Sequence, residues 1–508
     1  MLARAWGRAV PAILGIAGIA WFLGWQIAHH GIFQYTQGIY AADDADEWRY
    51  TACSTLVEHG YALFSQVFSA QPPLLFLSLA GGMRLFGDTI AAARSVEIAF
   101  GLIGLLAAGW IAFRWTNGWG AAATLVLLAV SPAYLLYSHT VEAEGPMMAL
   151  ATLSLAILVL PTVVHLPPRR DLDRSAVLLP RIVLPAGRDH AVGGVGETIL
   201  VVVAGLVLAA AILTKLFALE ALVPALFLLL TNSPRRLRDS AVFLVAALLP
   251  VVLEFLLVSP AQQWRQAVSL HTKISSFPLP NTVSTLHILR NFLTFDLGLT
   301  LVAVAGFLVL LASERWRTAA FFFLWVGGEL VMLVVFHPLF PHHPAILLTG
   351  MGALGGVGIG TAVDTLPLRR VAALPLAIAF LAYVILVPRL VHDDRHLLVP
   401  GSPPRVVQLT RFVKHRLPPG SFIATDDLAV ADQARLLVPP PLCDPSSVRL
   451  HAGYLTARTL KAATRRYHAL MVLPTFGIYP QVPAYMAWVR GHYRLVPAPL
   501  GNVAYVKR

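Results

Sequence analysis

Hydrophobic runs long enough to cross a bilayer recur along most of this chain, and no other feature restricts its fold as much. A spanning helix needs about 20 predominantly apolar residues. Eleven segments meet or approach that length, at about 10–28, 93–113, 119–137, 146–164, 198–214, 216–231, 241–258, 297–312, 319–336, 344–363 and 371–388. Of the 508 residues, 57% are hydrophobic and 13% charged, about half the charge fraction of a soluble domain. The expected fold class is an all-α polytopic membrane protein. A further run, "PPLLFLSLAGGMRLF" (72–86), is short and holds two glycines and Arg84, so it reads as interfacial or dipping into the membrane.

Charge placement gives these spans an expected orientation. Arg4 and Arg8 precede a first apolar run that is longer than a signal-peptide core and lacks an A-x-A cleavage site, which predicts an uncleaved helix starting in the cytoplasm. Eleven spans then place Arg114, Arg169, Arg170, Arg174, Arg181, Arg188, Arg235, Arg236, Arg238, Arg315, Arg317, Arg369 and Arg370 on inner connections, as the positive-inside rule requires. The acidic residues Asp43, Asp44, Asp46, Glu47, Glu142, Glu144 and Asp296 fall on outer ones. The expected localisation is the cell membrane, multi-pass, with a cytoplasmic N-terminus and an extracytoplasmic C-terminus. The net charge of +12 is scattered in short clusters between hydrophobic runs, which argues against a nucleic-acid partner.

The membrane domain is expected over 1–391, with a first outer loop at 29–92, an irregular Pro/Arg/Gly-rich inner loop at 165–197 and a long outer loop at 259–296. From about 392 hydropathy falls. "SFIATD" and "HALMVLP" read as strands, "DLAVADQARLL" and "TARTLKAATRRY" as helices, so 392–508 is expected to be a small extracytoplasmic α/β domain. Cys53 and Cys443 have no metal-ligand spacing and leave their pairing open.

Chemistry-bearing residues gather on the expected outer face. "YAADDADEWRY" (40–50) puts Asp43, Asp44, Asp46 and Glu47 within five positions. The following residues place Trp48, Ala52, Thr55 and Leu56 at helical spacing up to Gly60, predicting an amphipathic surface helix whose N-terminus favours carboxylates. In "VEAEGPMMAL" (141–150), Glu142 and Glu144 precede Pro146, a residue suited to opening a helix. Lys215 lies between two apolar runs, with Glu220 as a local partner, and "FHPLFPHHPAILL" (336–348) supplies His337, His342 and His343. His271 and Lys273 lie in the long outer loop. Each group alone fits a solvated loop, a snorkelling lysine or a polar rim. Together they suit a hydrolase or transferase of a lipid-linked substrate, with a carboxylate base and cations for a phosphate. No metal motif such as H-E-x-x-H occurs. No cofactor is therefore assigned, and a divalent metal is left open.

"DEWRY", "QPPLLFLSLAGGMRLFG" and "AAARSVEIAFGLIGLL" resemble the first outer loop of glycosyltransferase family 39 and its relatives. These include protein O-mannosyltransferases and the aminoarabinose transferases of lipid A, within the GT-C superfamily. "VEAEGPMMALATLSLAIL", "LTKLFALEALVPALF" and "PHHPAILLTGMGALGG" continue the similarity, which covers roughly 10–390. The resemblance implies a GT-C helical bundle and a glycosyltransferase moving a hexosyl or pentosyl group from a polyprenyl-phosphate donor to a lipid, glycan or protein acceptor, with membrane lipids around it. It implies inverting transfer, with Asp46 as general base, Glu47 as its partner in the motif, and Glu144 where many relatives carry Asp. Gln71 stands where the aminoarabinose branch has Lys, which argues against that branch. Arg49, Arg94 and Lys215 are the expected phosphate cations, with His342 and His343 as polar helpers. The alternatives are a secondary transporter, disfavoured by the absence of an internal repeat, and a binding protein for a lipid-linked substrate.

Overall fold

The computed structural model describes residues 2–29, 34–36, 44–160, 190–274, 284–365, 370–396 and 398–508. Asp43, Arg369 and most of the inner loop expected at 165–197 lie outside these residues. The N-terminal apolar run forms α1 (Leu2–His29). Between α1 and the next long helix, α2 (Asp44–Glu58) and α3 (Pro73–Phe86) precede α4 (Ile90–Trp115). Side-chain caps set the next boundaries. Thr89 accepts from the Ala92 amide at α4, and Asn117 accepts from Trp119 and Gly120 at α5 (Gly118–Ala129). Ser131 caps α6 (Pro132–Tyr137), where Pro132 stands in the first turn. Then follow α7 (Glu144–Leu158), α8 (His190–Thr214), a 3-10 helix Leu216–Ala221 leading into α9 (Leu222–Asn232), and α10 (Arg236–Leu257).

Every one of the eleven expected spans coincides with a helix or a pair of helices. Beyond α10, α11 (Pro260–Gln263) and α12 (Leu270–Ile274) flank a π-helical turn. Next, α13 (Thr285–Phe295) and α14 (Leu297–Ala312) meet at Asp296 with a 92° bend. A π-turn joins α15 (Trp316–Phe322) to α16 (Gly328–Val335), and α17 (Leu347–Thr365) and α18 (Arg370–His396) complete the bundle. Among the described residues six helices are long and apolar enough to cross a membrane, or seven with the bent pair; Pro73–Phe86, Gly118–Ala129, Glu144–Leu158 and Leu216–Asn232 are shorter. The chain is a multi-pass membrane protein.

Burial sorts the helices by position. The span His343–Asp364 is 89% buried within the protein and Arg236–Leu257 only 17%, which puts α17 at the centre and α10 at the periphery. Glycine makes the central contact: a Cβ on Gly358 would overlap the Cα of Gly306 in α14. Small residues allow such backbone approach where both sides of an interface are apolar.

After α18, β2 (Leu398–Pro400) pairs antiparallel with β1 (Gln34–Thr36), tying the segment between α1 and α2 to the start of the C-terminal region. There, α19 (Pro404–Lys414) leads into β3 (Ile423–Thr425) and α20 (Leu428–Gln433); α21 (Ser447–His451) and α22 (Ala457–Arg466) precede β4 (Met471–Leu473), and α23 (Pro483–His492) precedes β5 (Tyr493–Pro497) and β6 (Val503–Lys507). The sheet order is β3-β4-β6-β5, with β3 and β4 parallel and the other pairings antiparallel. Both expected strands and both expected helices are present.

The apolar face of α2 does not lie on lipid, as the surface-helix expectation has it. Trp48 and Leu56 are buried in a cluster with Leu75, Phe76 and Leu79 of α3 and with Leu409, Val413 and Val430 of the C-terminal region. That cluster fixes α2 from two sides. A disulfide between Cys53 of α2 and Cys443, 390 residues later, closes the join.

Candidate active site

Asp46, Arg49, Tyr50 and Cys53 follow one another at i, i+3, i+4 and i+7 along α2, a spacing that aligns them on one face. This face forms one wall of a cavity of about 230 Å3. Gln71 enters from the strand-less stretch before α3, His271 from α12, His342 and His343 from the turn that opens α17, and Asp444 from the C-terminal region. Six of the sequence-selected residues, Asp46, Arg49, Gln71, His271, His342 and His343, thus meet around a single cavity. His337, from the same run as the other two histidines, instead contacts the Thr285 hydroxyl.

Charge is organised in two layers. In the cavity wall, Arg49 pairs with Asp46 and lies 3.7 Å from Asp444. The second Asp46 oxygen faces His342 Nε2 at 3.8 Å. Behind that wall are two buried acid–cation pairs. Arg94 donates to both oxygens of Glu47, at 2.8 and 2.7 Å, and the Val141 amide donates to Glu47 as well. Lys215 pairs with Glu144, 71 residues away, and not with the local Glu220. His342 and His343 approach the same Glu144 oxygen at 3.6 and 3.9 Å, linking the layers. Glu220 lies instead beside Glu329 in a small separate space between helices.

Arg94 and Lys215, both expected as phosphate cations, therefore sit outside the cavity wall, almost fully buried on carboxylates. Burying a charge is costly unless it is paired and hydrogen-bonded, so each cation makes its acid tolerable and the reverse. Arg49 is the cation of the wall itself. Burial works against its charge, but Asp46, Asp444 and Tyr50 together hold the guanidinium above its ordinary range. Burial, then the charges of Asp46, Glu142 and Glu144, push the Tyr50 phenol well above its usual value, so it remains a donor and also accepts from the Gln71 amide at 3.3 Å. Burial likewise holds His271 below the ordinary imidazole range, helped by Lys215. Its neutral ring donates through Nε2 to the Ala70 carbonyl at 3.1 Å.

Two residue sets bring ligand atoms within 4.8 Å of one another: Glu144 with His342 and His343, and Asp46 with Glu142 and His342. Mixed carboxylate and imidazole ligands suit a divalent transition metal. Arg49 and Lys215 already neutralise a carboxylate in each set, so the donor set fits an ion without requiring one. Sequence reasoning missed Tyr50 and Asp444. The helical phase of Asp46 could have found Tyr50, whereas Asp444 is far away in sequence and comes here through the packing and disulfide that join its segment to α2.

Residues 70–165 match the family model described as dolichyl-phosphate-mannose-protein mannosyltransferase. This segment includes Gln71, Arg94 and Glu144 and overlaps the sequence resemblance. Among curated protein sequences none matches the chain. Among solved structures, the chain is similar to ArnT from Cupriavidus metallidurans bound to undecaprenyl phosphate. That match has 14% identity over 96% of this chain and 97% of that one, with a TM-score of 0.63. It is also similar to the archaeal oligosaccharyltransferase AglB from Archaeoglobus fulgidus, in complex with an inhibitory peptide and a dolichol-phosphate, at 10% identity over 99% and 75% of the chains and a TM-score of 0.56. The chain has the fold of these membrane glycosyltransferases, as the resemblance implied.

Proposed function

We propose that this protein is a membrane glycosyltransferase that moves a sugar from a polyprenyl-phosphate donor to a hydroxyl or similar group of a lipid, glycan or protein acceptor, at the outer leaflet. The observation that carries this reading is the cavity wall of α2, where a carboxylate and a guanidinium stand one helical turn apart and face two histidines. The family match over 70–165 and the lipid phosphates named with the two similar structures support the donor class.

In the reaction, the donor phosphate draws Arg49 from Asp46, and Gln71, His342 and His343 give it further polar contacts. Asp46 is thereby freed to take the acceptor's proton. The acceptor oxygen attacks the anomeric carbon as the bond to the phosphate oxygen breaks, and the electron pair leaves with polyprenyl phosphate. One displacement inverts the anomeric centre. Glu47 and Glu144 act from behind: Glu47 with Arg94 fixes the start of α2, and Glu144 with Lys215 orients the histidines. Loops 29–92 and 259–296 and the C-terminal domain from 392 lie outside the membrane in this reading, and the N-terminus lies in the cytoplasm.

Replacing Asp46 by Asn keeps shape but removes the proton acceptor. Transfer of label from a polyprenyl-phosphate sugar into a cell-envelope extract should fall about 100-fold or more, while donor binding persists. Asp44→Asn, two residues earlier, should remain near the wild-type rate. Equal, small losses in both variants would return the cluster to a solvated loop.

A further inference from the structure

The C-terminal domain reaches into the cavity at one charged residue, and the contact is not incidental to the fold. Cys53 lies one helical turn beyond Arg49 on the cavity face of α2, and its disulfide partner Cys443 immediately precedes Asp444. The covalent join therefore delivers the Asp444 carboxylate to the far side of the Arg49 guanidinium, 3.7 Å away. Asp444 is held from behind, because Arg449 donates to its backbone carbonyl at 3.1 Å and stacks its guanidinium 3.7 Å above the Phe68 ring of the first outer loop. A backbone hydrogen bond from Phe68 to Pro440 adds a second tie between the same two segments.

Arg49 thus stands between two acids from opposite ends of the chain. Asp46 belongs to its own helix, and Asp444 arrives from the domain above. A guanidinium has donors on several edges and can serve two carboxylates at once. With Asp46 as its sole acid, the guanidinium would have no second anchor once the donor phosphate draws it away.

We infer that Asp444 is a positioning residue for Arg49, by which the disulfide-anchored C-terminal domain completes the catalytic site. The inference rests on the transferase reading above. Asp444 anchors another edge of the guanidinium, so that Arg49 stays oriented in the cavity wall as the donor phosphate draws it from Asp46. It touches neither the acceptor nor the reacting carbon. The C-terminal domain is accordingly part of the catalytic unit and not merely an acceptor platform.

The test is a double-mutant cycle in the full-length protein, measured by transfer from a labelled polyprenyl-phosphate sugar. Asp444→Asn should lower kcat about tenfold, an ordinary coupling between charged neighbours, with donor KM and melting temperature little changed. Asp444→Glu, which keeps the charge, should recover most of the rate. Once Arg49→Gln is present, adding Asp444→Asn should cost no further activity. Independent, multiplying losses, or a wild-type rate for Asp444→Asn, would overturn the inference. Asp46→Asn in the same assay separates the two claims. A wild-type rate there removes Asp46 as the base, and no transfer by the unmutated protein removes the transferase reading itself, whereas an inactive Asp46→Asn beside a fully active Asp444→Asn removes only the role of Asp444.

Discussion

Asp46 and Glu47 are neighbours of nearly identical chemistry, and their surroundings divide them. The Asp46 side chain is 20% exposed at the cavity and that of Glu47 is 1% exposed on Arg94. The acidic motif was legible in the sequence, but this division was not, because Arg94 lies 47 residues away and comes close only when the chain folds back through α3. Lys215 shows the same limit: its sequence neighbour Glu220 is the obvious partner, and the distant Glu144 is the actual one. Glu47→Gln should therefore behave as a folding variant. It leaves the Arg94 charge buried and uncompensated, a loss of about 3–5 kcal/mol. Thermal unfolding in detergent should show a large drop in midpoint, while Asp46→Asn unfolds like the wild type. A Glu47→Gln protein of normal stability and no activity would place Glu47 in the chemistry instead.

At the scale of elements, the hydrophobic runs marked the long helices, because lipid-spanning segments declare themselves by composition. Their lengths and breaks were less legible. Ser131 and Pro132 divide one expected span into α5 and α6, and Asp296 marks a sharp bend between α13 and α14. The surface-helix expectation for α2 found the right periodicity and the wrong partner, since apolar spacing cannot distinguish a lipid surface from α3 and the C-terminal region. Glycine spacing on α17 carries a message of its own. Its centre packs against α14 through Gly358 and Gly306 with no room for a side chain. Gly358→Val should force the two helices apart and cost about 1–3 kcal/mol, the usual range for overpacking. A lower melting midpoint without a change in donor KM is the expected result, and an unchanged midpoint would show that the helices part freely.

At the scale of the whole molecule, the two ends of the chain close over one site. The β1–β2 pairing, the shared apolar cluster and the Cys53–Cys443 bond all join the segment between α1 and α4 to the C-terminal region. The strands and helices expected beyond 392 are present there, and the two cysteines left their pairing open until the fold brought them together. A disulfide there fits an oxidising compartment, in line with the proposed extracytoplasmic placement of both segments. The central claim is that this assembly breaks a sugar–phosphate bond and makes a new one. The direct measurement supplies the purified protein, reconstituted in vesicles, with polyprenyl phosphate bearing a labelled sugar and a cell-envelope extract as acceptor. The account predicts label covalently attached to an acceptor, with release of polyprenyl phosphate in equal amount. Label moved across the vesicle membrane with its bond to phosphate intact would contradict it and mark the protein as a transporter.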